Sequence, residues 1–201
     1  MQAACLPTAI RETQHTLNQE SLVTTSNIEE IHQQLSGKDA GAQIDALERL
    51  ANLLTLQPDL AKSDCVSGLA VRLSQLAGSP NDDVRGWAAD VLETNLDASD
   101  EDVAALSELL ITRQDGETCY WAATLLGRLG QRAADAVIAL RYCLTDVDYL
   151  PAKERAAWAI GRIGKQAADA MADLRMVAQT SPPRLARLAR QAMESIRSVA
   201  A

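Results

Sequence analysis

The stretch Leu126-Gly127-Arg128-Leu129-Gly130 returns 34 residues later as Ile160-Gly161-Arg162-Ile163-Gly164. Set without a gap, residues 118–141 and 152–175 agree at 11 of 24 positions, among them Ala122, Ala123, Gly127, Arg128, Gly130, Asp135 and Leu140. A fixed internal period of roughly 20–50 residues marks a stacked-repeat architecture. Each unit leaves an apolar face that only its neighbour can cover, so the chain grows along one direction without a domain boundary.

The repeating unit starts at Val84-Arg85-Gly86-Trp87-Ala88-Ala89, at Thr118-Cys119-Tyr120-Trp121-Ala122-Ala123 and at Ala152-Lys153-Glu154-Arg155-Ala156-Ala157. A degenerate fourth copy starts at Leu185-Ala186-Arg187-Leu188-Ala189. Apolar residues at three- and four-residue steps predict helices over these segments and over 40–56, 65–77, 101–112, 135–145 and 168–179. Alanine holds the fifth position of every copy (Ala88, Ala122, Ala156, Ala189), which lets helix axes come close. The glycine pairs Gly127/Gly130 and Gly161/Gly164 are expected to close one helix and turn into the next. Abundant Ala and Leu and the absence of Phe suit helices better than sheets. The expectation is an all-α chain.

The first 39 residues do not match the period. They read as an atypical helical cap: a weak, frayed helix over about 8–20, then a helix with Ser26 at its N-cap, an apolar stripe of Ile28, Ile31 and Leu35, and Gly37 as its stop. Residues 40–201 then form one repeat array of about four to five helix pairs.

Net charge is −8, divided unequally: residues 1–110 carry 18 acids and 6 bases, and residues 111–201 carry 9 acids and 13 bases. The acidic first half disfavours nucleic acid, which needs a continuous basic track. It also suits self-association with the basic second half of another copy. The last helix carries a secondary basic stripe, Arg184, Arg187 and Arg190, suited to an acidic partner. No apolar run reaches membrane-spanning length and no secretory pattern is visible. The cysteines Cys5, Cys65, Cys119 and Cys143 show no paired spacing, so a reducing, cytoplasmic setting is the expectation. No metal-binding, phosphate-loop or nucleophile motif is present; the two histidines, His15 and His32, lie outside the repeats. No cofactor and no catalytic residue is assigned. The paired loop carboxylates Asp82/Asp83 and Asp146/Asp148 read as helix caps.

At these motifs the sequence resembles HEAT repeats, specifically the short Ala-rich class of the phycobilisome lyases, with a pattern near V-R-x-x-A-A-x-A-L-G-x-I-G. The copies at 118 and 152 keep the alanines and glycines, whereas the copy at 84 has Glu93 where glycine belongs. The resemblance implies a right-handed α-solenoid, a superhelix of HEAT-like hairpins, in a bacterial protein. It also implies that the motif helices line the concave side. Positions three, four, seven and eleven then face outward: Gly86, Tyr120 and Glu154; Trp87, Trp121 and Arg155; Asp90, Thr124 and Trp158; Thr94, Arg128 and Arg162. All three tryptophans fall in this set, and Trp, Tyr and Arg dominate binding hot spots. Position four borders the core, so Trp87 and Trp121 read equally well as packing between repeats. The resulting expectation is a non-enzymatic scaffold binding a protein or peptide through Trp87, Asp90, Tyr120, Trp121, Thr124, Arg128, Glu154, Arg155, Trp158 and Arg162. Two alternatives remain open: a lyase-like enzyme or subunit handling a linear tetrapyrrole, and a HEAT-like DNA-binding or glycosylase protein, which the acidic half disfavours.

Overall fold

The computed structural model describes residues 26–63, 66–93, 96–112 and 115–198. Among them are helices and no strand. Residues 26–36 form α1. There follow α2 (Ala40–Leu56), α3 (Leu69–Leu76), α4 (Asp82–Glu93), α5 (Val103–Thr112), α6 (Gly116–Leu129), α7 (Val137–Thr145), α8 (Leu150–Ile163), α9 (Met171–Thr180) and α10 (Pro183–Ser198). The weak helix expected over 8–20 and position Thr94 lie outside the described residues, as do Cys5 and Cys65.

The helices pack in two rows. α6, α8 and α10 lie side by side, and α5, α7 and α9 run behind them. At the other end α2 packs on α4, and α3 packs on α4, α5 and α6. The rows enclose one apolar core, in which the fifth-position alanines Ala88, Ala122, Ala156 and Ala189 are all fully covered. Ile28, Ile31 and Leu35 of α1 join that core.

α6 and α8 repeat each other closely. Each is 14 residues long and ends at a glycine with positive φ (Gly130, 58°; Gly164, 71°), a conformation that favours glycine. Each is followed by a seven-residue 3-10 segment, Gly130–Ala136 or Gly164–Ala170, that leads into the next helix.

Several expectations need correction. Gly127 and Gly161 do not close helices; they sit inside α6 and α8 as points of contact. A β-carbon on Gly127 would stand 2.2 Å from Trp158 Cζ3, and one on Gly161 would stand 3.0 Å from the Ala192 Cα. The helix expected over 65–77 shortens to Leu69–Leu76, because Gly68 takes a left-handed φ of 79° in front of it. Ser26 is itself helical, not a cap outside the helix. The cap of α4 is Asn81, which accepts from the Val84 amide at 3.0 Å, while Asp82 pairs with Arg85 at 2.7 Å within the first turn. Asp146 follows the end of α7 and accepts from the Thr145 hydroxyl. Asp115 and Asp39 are the carboxylates that cap, on α6 and α2.

One seam is looser. The Cα traces of α4 and α6 approach each other far less than those of α6 and α8, or of α8 and α10. Glu93 of α4 stands where α6 and α8 have their contact glycines. Arg128 spans this seam, donating to the carbonyls of Leu92 at 2.9 Å and Leu96 at 3.4 Å. Arg72 does the same for α1, donating to the Leu35 carbonyl at 2.8 and 2.6 Å.

Candidate interaction surface

The helices bearing the repeated motif place their third, fourth, seventh and eleventh residues very unequally. On α4, Trp87 is half-buried against the core and Asp90 is exposed. On α6, Trp121 is 5 % exposed and Thr124 4 % exposed. Trp121 is a core side chain that meets the Tyr120 ring edge-on at 5.2 Å. The Thr124 hydroxyl donates to the Tyr120 carbonyl at 2.7 Å. Neither presents a binding surface, and the reason is local: the tight α6–α8 approach folds position seven of α6 under its neighbours. Arg128 is occupied as the carbonyl bridge already described. On α8, Glu154 is buried and pairs with Arg184 at 3.1 Å. That pair joins the basic stripe of α10 to the motif face and removes Glu154 from the expected contact residues, while the Arg184 side chain stays exposed. Arg190 donates to the Ala178 carbonyl at 3.3 Å, whereas Arg187 is exposed.

What the structure does bring together is an aromatic and guanidinium stack across α6 and α8. Arg155 donates from Nη2 to the Tyr120 hydroxyl at 2.7 Å. Its guanidinium carbon lies 4.9 Å from the Tyr120 ring centre and 5.7 Å from that of Trp158. Such placements over a ring face are attractive because the ring quadrupole is negative there. Trp158 is held from below by Gly127 and from one side by Arg155, so its orientation is fixed.

Beside this stack, between α8 and α10, lies a cleft of about 420 Å³. Its walls include Trp158, Arg162, Leu188, Gln191 and Ser195, with Gln131 at one end. The last three of the α10 residues were not singled out from the sequence. The signal was available: Leu188, Gln191 and Ser195 occupy positions four, seven and eleven of the degenerate copy that starts at Leu185. Arg162 is exposed and has no hydrogen bond or ion pair among the described residues. Its counterpart Arg128 is consumed by carbonyls at the end of α4. After α8 the Gly164 amide donates to the Ile160 carbonyl, and after α6 the Gly130 amide donates to the Gly127 carbonyl. Among the described residues Arg162 makes no bridge to the end of α6 like the one Arg128 makes to α4.

A second cleft, of about 570 Å³, opens between Ala61, Ser63, Val66 and Ser67 on one side and residues 97–102 on the other. Asp102 in its wall is saturated, accepting from the Gly68 amide at 3.1 Å and from the Ser99 amide and hydroxyl at 2.8 and 3.0 Å.

Among the described residues, ionisation is perturbed at the pair of Glu30, lowered by its hydrogen bond to Arg49, and Arg49, raised by Glu30, and at packing contacts. Burial, with Asp115 nearby, pushes the Cys119 thiol up to about 11. Burial, with Cys119 nearby, pushes the Cys143 thiol up further. Tyr149 is pushed up to about 12 by its hydrogen bond to Glu117 and by burial. These shifts make the thiols poorer nucleophiles. Among the described residues no three His, Cys, Asp or Glu side chains gather closely enough to hold a metal ion, and no helix is long and apolar enough to cross a membrane.

The fold therefore defines an all-helical, repeat-like chain. Its likeness is to two engineered proteins with crystal structures from the Northeast Structural Genomics Consortium. One is 24% identical, with a TM-score of 0.57, covering 89% of this chain and 83% of its own. The other is 22% identical, with a TM-score of 0.59, covering 85% and 81%. At this level of identity the likeness speaks to the fold alone. No protein-family model and no curated protein matches the sequence.

Proposed function

We propose that this chain is a non-enzymatic interaction module: a HEAT-like α-solenoid that binds a protein or peptide partner on the concave face formed by its motif helices. One observation carries the reading. The cleft between α8 and α10 presents an oriented tryptophan beside an arginine that the fold leaves unused. A rigid aromatic wall with a free charged donor is the composition of a binding hot spot. The contacts of Tyr149 with Glu117 and of Arg141 with Asp173, each 32 residues apart, and of Arg155 with Tyr120, 35 apart, lie close to the period and support a solenoid, since each joins neighbouring copies of the unit.

The test uses Arg162→Ala/Gln191→Ala, which alters two exposed side chains and leaves Trp158 on its glycine seat. Partners captured from source lysate by the wild-type chain are identified by mass spectrometry, purified and rebound. Loss of rebinding by at least tenfold in the variant, at unchanged helicity and melting temperature, supports a partner site on this face. Equal rebinding moves the site elsewhere.

A further inference from the structure

We infer that the α8–α10 cleft takes an extended peptide segment carrying a carboxylate next to a large apolar side chain. This rests on the reading of the cleft as a partner site and names the chemistry of its occupant.

Three observations converge. First, among the described residues Arg162 is the one charged side chain lining the cleft, and no acidic residue lines it. Second, the remaining side-chain donors at the wall are the amides of Gln131 and Gln191 and the Ser195 hydroxyl, which can donate to oxygen, whereas the Ser198 hydroxyl already donates to the Ser195 carbonyl at 3.2 Å. A guanidinium with its five donors unengaged matches a carboxylate in two-point geometry. Third, the floor is apolar: Trp158, Leu188, Ala157 and Ala192, with Gly161 brought against the Ala192 backbone. That floor takes a side chain of Leu or aromatic size next to the anchored carboxylate.

The neighbouring guanidinium, Arg155, does not compete for the carboxylate. It is committed to the Tyr120 hydroxyl and lies over two rings. Specificity at the site therefore depends on Arg162, and reversing its charge should reverse the preference.

The experiment selects phage-displayed random dodecapeptides against the intact wild-type chain and against Arg162→Glu, both confirmed to melt alike. The wild type is expected to enrich peptides with Asp or Glu within a few residues of Leu, Met or an aromatic. A synthetic copy of the leading peptide should shift the tryptophan emission in a Trp87→Phe/Trp121→Phe background, where Trp158 alone reports. Arg162→Glu should lose at least tenfold in affinity for that peptide and should enrich Lys or Arg in place of the acid. If both chains enrich the same peptides, the carboxylate inference is overturned while the binding face stands. If neither chain enriches any peptide, the binding face falls with it.

Discussion

At Gly127 the absence of one methyl group sets how near α8 can come to α6. The Trp158 ring occupies the space a β-carbon would need, with an added carbon only 2.2 Å from the ring edge. Gly86 is the natural control, since it is also helical but has nothing within 4 Å of the same position. Gly127→Ala should therefore lose about 1–3 kcal/mol through overpacking, despite its better helix propensity. Gly86→Ala should gain up to about 1 kcal/mol, because an exposed helical glycine costs that much relative to alanine. Chemical denaturation of the two variants checks both signs, and two changes of the same direction would refute the packing argument. A second expectation at this scale concerns alkali. Cys119 rises from 9.0 to about 11 and Tyr149 from 10.0 to about 12, so the folded chain holds both protons more tightly than the unfolded one. Stability from these groups is complete below pH ~9 and is lost as pH climbs towards ~12. Urea midpoints should stay level up to about pH 9 and fall above it, with a shallower fall in Tyr149→Phe. A fall that begins well below pH 9 would point to other groups.

The helices differ in how firmly they are joined. α6, α8 and α10 meet through Ala and Gly contacts, whereas α4 and α6 are joined through α3 and through the Arg128 bridge to Leu92 and Leu96. Removing it with Arg128→Ala should cost about 1–3 kcal/mol, because two carbonyls lose a charged donor. Hydrogen exchange should localise the effect to the last turn of α4 and residues 96–98, with α8 and α10 unchanged. Uniform acceleration across the chain would show that Arg128 supports the whole fold. The same comparison explains what could be read from the sequence. The helical motif, the alanine at its fifth position and the stop at Gly130 and Gly164 follow from local rules, and the structure has them. The role of Gly127 could not be read this way, because it depends on a tryptophan 31 residues away on another helix. Trp121 was legible only as a border position. Its burial depends on tertiary packing, which periodicity does not encode. The sequence likewise left Arg128 and Arg162 equivalent; the loop after α4 and the 3-10 segment after α6 assign them different work.

At the scale of the molecule, charge and packing divide along similar lines. The acids gather in residues 1–110, and the surplus arginines lie in the part built from the tight repeats. α10 is the last described helix of the tight row, and Arg187 and Glu194 are exposed on it. A chain made of near-copies also faces a hazard that ordinary folds avoid: its units resemble each other enough to pair in the wrong order, or with a neighbouring chain. The seat of Trp158 on Gly127 removes that ambiguity at one joint. The position equivalent to Gly127 on α4 is Glu93, which offers no such hollow, so α8 finds a matching surface on α6 and not on α4. One ring and one missing methyl thus act as an address, distinguishing the α6–α8 joint from the one between α4 and α6.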